Sequence, residues 1–431
     1  MLNPLAQELN NTLAGTTAGS LLSDLGTRIF FPRGIISQGG EAKIYGKTAN
    51  ATIGTTLIGG KPAILEAVHK FAPDLTAGEL VSYAPTAGNP DLRALWKEKI
   101  FAKNPSLNGK NISVPVVVPG LTAGISYLAD LFIDEKHPLL VADPSWDNYS
   151  LIVETRRGAN LHYFNMFKNG GFDIESFKAA LKKEAAENGS VRVLLNFPQN
   201  PSGYSPTKKE AAEIAQAVKE VAESGAKVLV WDDDAYFGLN YEDDIYPQSL
   251  FAELADIHEN VLAVKIDGPT KEDFAWGFRT GFLTFGGKGM TDEQYDALVK
   301  KLMGLIRSSV SCSSTPSQSL VLKALADPKI EEEKKAFRDV LEERYKVVRK
   351  FVESHKSSVL EALPFNSGYF MSFNVKGVDA EVLRKKILET KAIGTISIDS
   401  KTLRVAFSSV DVDKIETVYS AIYEVAETFK N

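Results

Sequence analysis

Short apolar segments rich in β-branched residues alternate with amphipathic stretches along most of the chain. Five apolar segments are predicted to be buried strands: 115–119, 139–142, 191–197, 227–231 and 261–265. Between two of these strands, residues 207–224 carry apolar side chains at helical spacing, which predicts a helix covering the sheet. The alternation predicts an α/β fold built on a mainly parallel sheet with helices packed on it.

The character of the sequence changes after about residue 330. Residues 329–356 form a long, highly charged helical pattern, and short strand-like segments follow near 367–375 and 402–407. We therefore predict a second, smaller domain, with the boundary inside a continuous helix. The predicted divisions are 1–60 for an N-terminal arm with part of the small domain, 61–335 for the large domain, and 336–431 for the C-terminal small domain.

Composition and charge exclude several classes of protein. The chain has 431 residues, 44% hydrophobic and 24% charged, so it can bury a large core. A net charge of -6 without a block of basic residues predicts no binding to nucleic acid or to an anionic membrane. No apolar run reaches the length of a membrane span, and Pro4 and Glu8 interrupt the region where a signal peptide would be apolar. The single cysteine, Cys312, cannot form an internal disulfide, and we expect a cytoplasmic protein.

Candidate chemistry begins with Lys271 and Arg279, which lie in the segment KEDFAWGFRTG. Taken alone, a lysine in a Lys-Glu-Asp run is usually solvated, so this spacing is weak evidence. Four other segments add polar side chains in a consistent order: 121–124, 196–203, 233–236 and 403–407. Together they supply the groups that an enzyme using pyridoxal 5'-phosphate needs.

Lys271 is the candidate for covalent attachment of the cofactor. A lysine ε-amine must hold the cofactor and, once a substrate has displaced it, move a proton at the substrate Cα. Lys271 follows a predicted strand that ends near Asp267. The sequence Gly-Pro-Thr at 268–270 breaks regular structure, so the lysine side chain can point into a cleft.

Asp233 is the candidate partner of the cofactor's pyridine nitrogen. It is predicted at the carboxyl end of a parallel strand, where α/β sheets build their sites, and its carboxylate would keep the ring protonated. Three adjacent aspartates, 232–234, are also typical of a solvated turn or a metal-binding loop. No histidine or further carboxylate has ligand spacing nearby, so no metal is expected. Tyr236 and Asn200 would hydrogen-bond the ring hydroxyl oxygen.

Phosphate needs fixed donors and positive charge. The glycine-rich turn after the first predicted strand includes Ala123, and the amides of Gly124 and Ile125 are expected to open a helix and point at an anion. Arg279 would supply the charge through its planar guanidinium, and Thr270 would add a hydroxyl group.

With these segments in this order, the chain resembles the fold-type I, class I/II aminotransferases. Its motif pattern is most similar to that of the aspartate and aromatic aminotransferase group. The resemblance extends from about residue 50 to 407. It implies a pyridoxal-phosphate-dependent transferase fold: a large domain with a mainly parallel seven-stranded-type sheet covered by helices, plus a smaller α+β domain. It also implies a homodimer that acts on small-molecule amino acid and 2-oxo acid substrates.

Further residues take their expected roles from this resemblance. Gly54 matches the glycine whose backbone meets the substrate carboxylate, and Arg404 matches the arginine that binds the substrate α-carboxylate. Trp146 lies where the family stacks an aromatic ring on the cofactor. Tyr83 matches a tyrosine that reaches the phosphate bound by the neighbouring subunit.

The chain departs from the family pattern at two places. Gly268 replaces a serine usual three residues before the lysine, so phosphate binding is expected to rest on Ser126 or on backbone amides. Arg307 loosely resembles an arginine that reads the distal carboxylate of dicarboxylic substrates from the other subunit, with Cys312 in place of an asparagine. An ordinary helix-end or surface arginine is an equal alternative for Arg307.

The implied reaction is a ping-pong transfer. An amino acid displaces Lys271, loses its Cα proton to the freed lysine and leaves as a 2-oxo acid, with its amino group kept on the cofactor as pyridoxamine phosphate. A second 2-oxo acid such as 2-oxoglutarate reverses the steps. Aspartate or an aromatic amino acid is the expected donor, with glutamate also open. Tyr149, Tyr369 and Phe370 could line an aromatic-tolerant pocket, although Phe370 is more typical of a core. The first 45 residues would form an arm over the partner subunit or a cap on the cleft.

Other classes of protein fit less well. A decarboxylase or β-lyase of the same fold is an open alternative, because such an enzyme would keep every cofactor residue. A non-catalytic regulator that binds pyridoxal phosphate would need a DNA-binding module before the fold, and only about 50 residues precede the first motif. The P-loop pattern is absent, as are the GxSxG and HExxH patterns of hydrolases.

Overall fold

A seven-stranded sheet forms the centre of the computed structural model, which describes residues 2–13, 27–28, 35–52 and 54–430. Its strands, in spatial order, are Val116–Val118, Gly281–Gly287, Val261–Asp267, Lys227–Asp233, Ser190–Asn196, Leu139–Asp143 and Leu161–Asn165. Gly281–Gly287 runs antiparallel to both neighbours, and all other neighbouring strands are parallel. The predicted α/β fold with a mainly parallel sheet is confirmed.

Two strands of this sheet were not predicted. Leu161–Asn165 is an edge strand in which only Leu161 and Phe164 are buried, so its apolar pattern is weak. Gly281–Gly287 contains three glycines and resembles a loop in sequence, yet the whole strand is buried. Gly286 has a packing reason, because an added Cβ would lie 2.6 Å from the Cβ of Ala255.

The carboxyl ends of the parallel strands meet at one edge of the sheet. The strand predicted over 227–231 continues to Asp233, which pairs in register with Asn196 on one side and Ile266 on the other. Asp233 is therefore the last residue of its strand, at the edge where α/β sheets place ligands.

Helices pack against this sheet. The larger ones are Pro90–Lys103, Leu121–Phe132, Ile174–Asn188, Lys208–Glu223, Asp292–Ser309 and Thr315–Ala326. The helix predicted over 207–224 is confirmed as Lys208–Glu223. It begins with a capping box between Thr207 and Glu210 and buries Ile214 and Val218 against the core. Short helical segments complete this part: Glu66–His69, Ala77–Val81, Asn148–Ser150, Leu151–Arg156, Leu250–Leu254 and Pro269–Glu272.

A second, antiparallel sheet follows in the C-terminal part. Its strands, in spatial order, are Leu360–Ala362, Phe370–Val375, Thr402–Ala406 and Ile396–Ser397. The strand-like segments predicted near 367–375 and 402–407 are confirmed. The accompanying helices are Ile330–Ser354, Ala380–Lys391 and Val412–Glu427. Helix Ile330–Ser354 is continuous across residue 335, where the predicted domain boundary lies, and the division itself stays a prediction.

The beginning of the chain is joined to the C-terminal part. Strand Ala49–Asn50 pairs in parallel with Ile393–Gly394, and helices Pro4–Leu13 and Ile35–Tyr45 precede it. Much of the segment 1–45, for which an arm or a cap was predicted, lies outside the described residues. None of the described helices is long and apolar enough to cross a membrane.

Candidate active site

A cavity of about 230 Å³ opens at the carboxyl edge of the central sheet. Eight residues predicted from sequence line it: Gly54, Ile125, Trp146, Asn200, Asp233, Tyr236, Lys271 and Arg404. They come from both sheets, from the loops, and from the helical segments Leu121–Phe132 and Pro269–Glu272. A larger groove of about 670 Å³, bordered by Glu242, Asp243 and Asp244, contains none of the predicted site residues. The smaller cavity is therefore the candidate active site.

Asp233 is held firmly at the floor of this cavity. Its Oδ2 accepts a hydrogen bond of 2.6 Å from the Tyr149 hydroxyl, and its Oδ1 accepts one of 3.3 Å from the Ala235 amide. Burial raises the pKa of Asp233 to about 6, although the Tyr149 hydrogen bond and the charge of Lys271 act to lower it. The carboxylate is thus ionised at neutral pH and can face a positively charged ring nitrogen.

Asn196 and Tyr149 support the site, and the sequence reasoning did not give either residue this role. Asn196 donates from Nδ2 to the Asp233 carbonyl oxygen at 2.7 Å and accepts from the Asn200 amide at 2.9 Å. Asn196 is the first residue of the motif NFPQNPSG and ends its strand, which is the signal that could have identified it. Tyr149 was considered only as a pocket wall.

Lys271 lies on one short helical turn, Pro269–Glu272, and not in the loop that the sequence suggested. Its Nζ lies 4.8 Å from the centroid of the Tyr236 ring. Burial lowers the pKa of the Lys271 amine to about 8, while the charge of Asp233 raises it and that of Arg279 lowers it. An appreciable fraction of the amine is therefore neutral, and nucleophilic, near neutral pH.

The start of helix Leu121–Phe132 forms one end of the cavity. Gly120 caps this helix at a φ of 91°, and an added Cβ there would lie 2.5 Å from Nη2 of Arg279. The Arg279 guanidinium therefore sits directly beside the helix N-terminus, an arrangement that favours an anion. Thr270 is buried, and its hydroxyl has no hydrogen-bond partner among the described residues.

The helix starts earlier than the sequence suggested, which corrects the prediction for the Gly124 and Ile125 amides. The Gly124 amide already donates to the Gly120 carbonyl at 3.2 Å, and the Ile125 amide lies within the regular helix. The free amides of the first turn belong to residues 121–123, which include Ala123. Thr122, which was not predicted, lines the cavity, and Ile125 contributes its side chain.

Gly268 has a packing reason to lack a side chain. An added Cβ would lie 2.9 Å from the Thr280 carbonyl oxygen and 3.0 Å from Cα of Gly281. The position is therefore closed to serine without movement of the neighbouring strand. Ser126, the suggested substitute, does not line the cavity, whereas Thr122, one turn earlier in the same helix, does.

Arg404 forms the opposite end of the cavity. Its Nη1 donates to Asn200 Oδ1 at 2.8 Å, its Nη2 donates to the Thr52 carbonyl at 3.2 Å, and its guanidinium lies 4.1 Å from the Phe370 ring centroid. Burial lowers the pKa of Arg404 to about 10, so the group stays charged at neutral pH. Because Asn200 uses its oxygen for Arg404, it presents its amide nitrogen as a donor.

Aromatic side chains form the walls. Trp146 packs edge-on against Tyr149 with ring centroids 5.3 Å apart, and both line the cavity. Phe370 is fully buried and also lines the cavity, so its ring packs in the core and forms part of the cavity wall. Tyr369 is not part of the lining. It packs edge-on against Tyr236.

Two predicted residues lie at the surface of the single chain. Tyr83 is 91% exposed, and Arg307 is exposed in the last turn of helix Asp292–Ser309. Neither residue lines the cavity. A role for either one at this site would need a second copy of the chain.

Replacing Asp233 by Asn is expected to lower the pKa of Lys271 below about 8, because the carboxylate charge raises that pKa. The measurement is the rate at which an amine-specific reagent modifies Lys271 in cofactor-free protein, followed by mass spectrometry across pH. The exposed amine of Lys301 in the same protein serves as the internal reference. An unchanged or higher midpoint for Lys271 would show that the two groups are not coupled.

Comparison with known proteins gives one consistent result. The family described as Aminotransferase class I and II matches residues 52–422. A tyrosine aminotransferase of Dictyostelium discoideum is 21% identical over 422 residues, which cover 92% of this chain and 94% of that relative. An aspartate aminotransferase of Bacillus sp. (strain YM-2) is 26% identical over 267 residues, covering 61% of this chain and 62% of the relative.

A solved structure shows the same fold. The crystal structure of an aminotransferase from Anaerococcus prevotii superimposes with a TM-score of 0.82 at 24% sequence identity. The superposition covers 93% of this chain and 97% of that one. At this level of identity the similarity concerns the fold alone.

Proposed function

We propose, because this chain belongs to the aminotransferase class I and II family, that it moves the amino group of an amino acid to a 2-oxo acid with pyridoxal 5'-phosphate as its cofactor. The family match confirms the resemblance predicted from sequence and supports transaminase activity. The observation that carries the proposal is the cavity in which Lys271, Asp233 and Arg404 meet.

The residues present fit this cofactor from end to end. Lys271 offers a largely buried amine, and Asp233 offers a fixed carboxylate for the ring nitrogen. At the other end, Arg279 lies beside a helix N-terminus, and the unpaired Thr270 hydroxyl would gain a partner from a phosphate oxygen. When bound, the cofactor would supply an electrophilic carbon and an electron-withdrawing ring.

The chain's own residues then have distinct tasks. Arg404 would bind the α-carboxylate of the amino acid and so orient its Cα. Lys271, with a pKa of about 8, would take the proton from Cα of the donor as a base near neutral pH, and in the second half of the cycle it would deliver a proton to Cα of the new amino acid. Asp233 would keep a positive charge on the ring nitrogen, and Tyr236 and Asn200 would donate hydrogen bonds to the ring oxygen.

We propose aspartate or an aromatic amino acid as the donor and 2-oxoglutarate as the acceptor, in a ping-pong order. The names of the tyrosine and aspartate aminotransferase relatives support this choice. The test supplies the purified protein and cofactor with 2-oxoglutarate and one donor at a time, and measures glutamate and the matching 2-oxo acid. Release of carbon dioxide or ammonia instead would indicate a decarboxylase or lyase, and cofactor binding without turnover would favour a regulator.

We further propose that the active unit is a cytoplasmic homodimer in which each chain completes its partner's site. The exposure of Tyr83 together with that of its near neighbours Leu80 and Val81 supports this, because a group of exposed apolar side chains is typical of a protein–protein interaction site. Tyr83 would then approach the phosphate, and Arg307 would read a distal carboxylate, each across the interface. Analytical ultracentrifugation tests the assembly, and a monomer that is fully active would refute it.

Replacing Arg307 by Ala is expected to reduce turnover of aspartate far more than that of phenylalanine, because only aspartate carries a distal carboxylate. Loss of a charged partner costs about 2–5 kcal/mol, which corresponds to a fall in kcat/KM for aspartate of roughly 30-fold or more. Steady-state kinetics with both donors measure the difference. Lys301→Ala, an exposed change on the same helix, is the control. Equal losses for both donors would remove this role from Arg307.

A further inference from the structure

A buried ionic cluster surrounds the two residues that follow Lys271. Glu272 and Asp273 are 8% and 2% exposed. Lys334 lies 2.8 Å from the Asp273 carboxylate and 3.5 Å from that of Glu272, and Lys103 also pairs with Glu272. Within the part of the chain that the structure describes, Lys334 is the one basic side chain within 4 Å of Asp273.

The two lysines belong to different helices. Lys103 is the last residue of helix Pro90–Lys103, and Lys334 lies at the beginning of helix Ile330–Ser354, which leads into the C-terminal sheet. The helical turn that carries Lys271 has only four residues and cannot hold its shape alone. Its closing bond, from the Asp273 amide to the Pro269 carbonyl, is 3.1 Å long. The ion pairs therefore fasten a short, intrinsically weak turn to two long helices.

The Glu272 carboxylate stays charged despite its burial. Burial alone would raise the pKa of Glu272, but Lys103 and Lys334 hold it at about 2. A buried carboxylate that loses its cation is left unpaired, which is strongly unfavourable, so the turn is held where both carboxylates lie within ion-pair distance of Lys334. The position of the Lys271 backbone follows from that of the Lys334 ammonium.

We propose that Lys334 is a positioning residue for Lys271: by pairing with Asp273 and Glu272 it couples the long helix Ile330–Ser354 to the turn that aims the catalytic amine. The inference rests on the proposed function of Lys271. A movement of this helix relative to the central sheet is thereby transmitted to the amine, with Asp273 as the link.

Three variants separate positioning from simple charge balance. Lys334→Met removes the ammonium and leaves Asp273 unpaired. The double variant Lys334→Met/Asp273→Asn removes both charges while keeping similar side-chain shapes. No unpaired charge is left at position 273, so the variant should fold, but the ion pair between the helix and the turn is still missing. Lys335→Met is the matched control, because Lys335 is exposed and pairs with Asp339, one turn away on the same helix.

The readouts are the thermal unfolding midpoint, the pH midpoint of the visible absorption band of the lysine-bound cofactor, and kcat and KM for the amino donor. We expect both Lys334 variants to lose about 10- to 100-fold in kcat with little change in KM, since a misplacement of ~1 Å costs about 100-fold. The band midpoint shifts in both variants, although the double variant unfolds close to the wild-type temperature. Lys335→Met matches the wild type throughout.

The proposal is overturned if the double variant recovers both kcat and the band midpoint of the wild type, because Lys334 would then only balance charge. It is also overturned if Lys334→Met folds and behaves as the wild type. Should Lys334→Met fail to fold, the double variant decides. The same variants are also compared by the pH dependence of chemical modification of the Lys271 amine in cofactor-free protein, which needs no turnover. A shift in this dependence without any transaminase activity would contradict the proposed function alone, and no shift would contradict the coupling alone.

Discussion

Replacing Lys271 by Ala is expected to remove the covalent attachment of the cofactor and to reduce transamination by about 10²- to 10⁴-fold or more, the range for loss of a single general acid–base group. Lys271 lines the cavity beside Asp233, and its amine has a pKa of about 8, which suits both attachment and proton transfer. The visible spectrum of the purified variant and its steady-state turnover measure the two effects.

The control for this change is Lys288→Ala, which removes an exposed lysine beyond the strand Gly281–Gly287. It should keep the band and the turnover of the wild type. A Lys271→Ala variant that keeps both would assign the chemistry to another group. Lys265 is the nearest alternative in sequence, but its ammonium pairs with Asp234 and Asp267, and these carboxylates raise its pKa despite burial. It would therefore be a poor nucleophile.

Replacing Arg404 by Gln is expected to reduce kcat/KM for the amino donor by about 30- to 4,000-fold, because loss of a buried charged partner costs about 2–5 kcal/mol. Most of the loss should appear as a higher KM, since in the proposed function the guanidinium would bind the α-carboxylate in the ground state as well as the transition state. Arg404 contacts Asn200 and Thr52 and not Lys271, so the absorption band of the lysine-bound cofactor should remain.

Arg404→Lys is the matched variant for this prediction. It keeps the positive charge but loses the planar pair of donors, so its kcat/KM should lie between those of Arg404→Gln and the wild type. A variant that loses the absorption band together with activity would show that Arg404 supports the fold or the cofactor rather than the substrate. Full activity of Arg404→Gln would remove the residue from the site.

Much of the central sheet could be predicted from sequence because its parallel strands are buried on both faces and appear as continuous apolar runs. The position of Asp233 followed from the same pattern, since a polar residue directly after such a run lies at the carboxyl edge. The strand Gly281–Gly287 could not be predicted this way. Its glycines are required by close packing, as at Gly286 against Ala255, and glycine carries no apolar signal.

The finer geometry of the site depends on contacts that a linear sequence does not encode. The helix begins at Leu121 because Gly120 adopts a positive φ and receives the Arg279 guanidinium beside it, so the free amides lie earlier than the apolar pattern indicated. The hydrogen bond from Tyr149 to Asp233 joins segments 84 residues apart. The pairing of Lys334 with Asp273 depends in the same way on the packing of a distant helix.

The cavity that contains Lys271, Asp233 and Arg404 is proposed to perform transamination, and one half-reaction followed by absorbance tests this most directly. The purified protein is loaded with pyridoxal phosphate and mixed with a single amino acid, with no 2-oxo acid present. We predict that aspartate or an aromatic amino acid converts the band of the lysine-bound cofactor to that of pyridoxamine phosphate, with one equivalent of 2-oxo acid released per site. A band that stays unchanged with every amino acid, or that changes with release of carbon dioxide or ammonia, would contradict the claim.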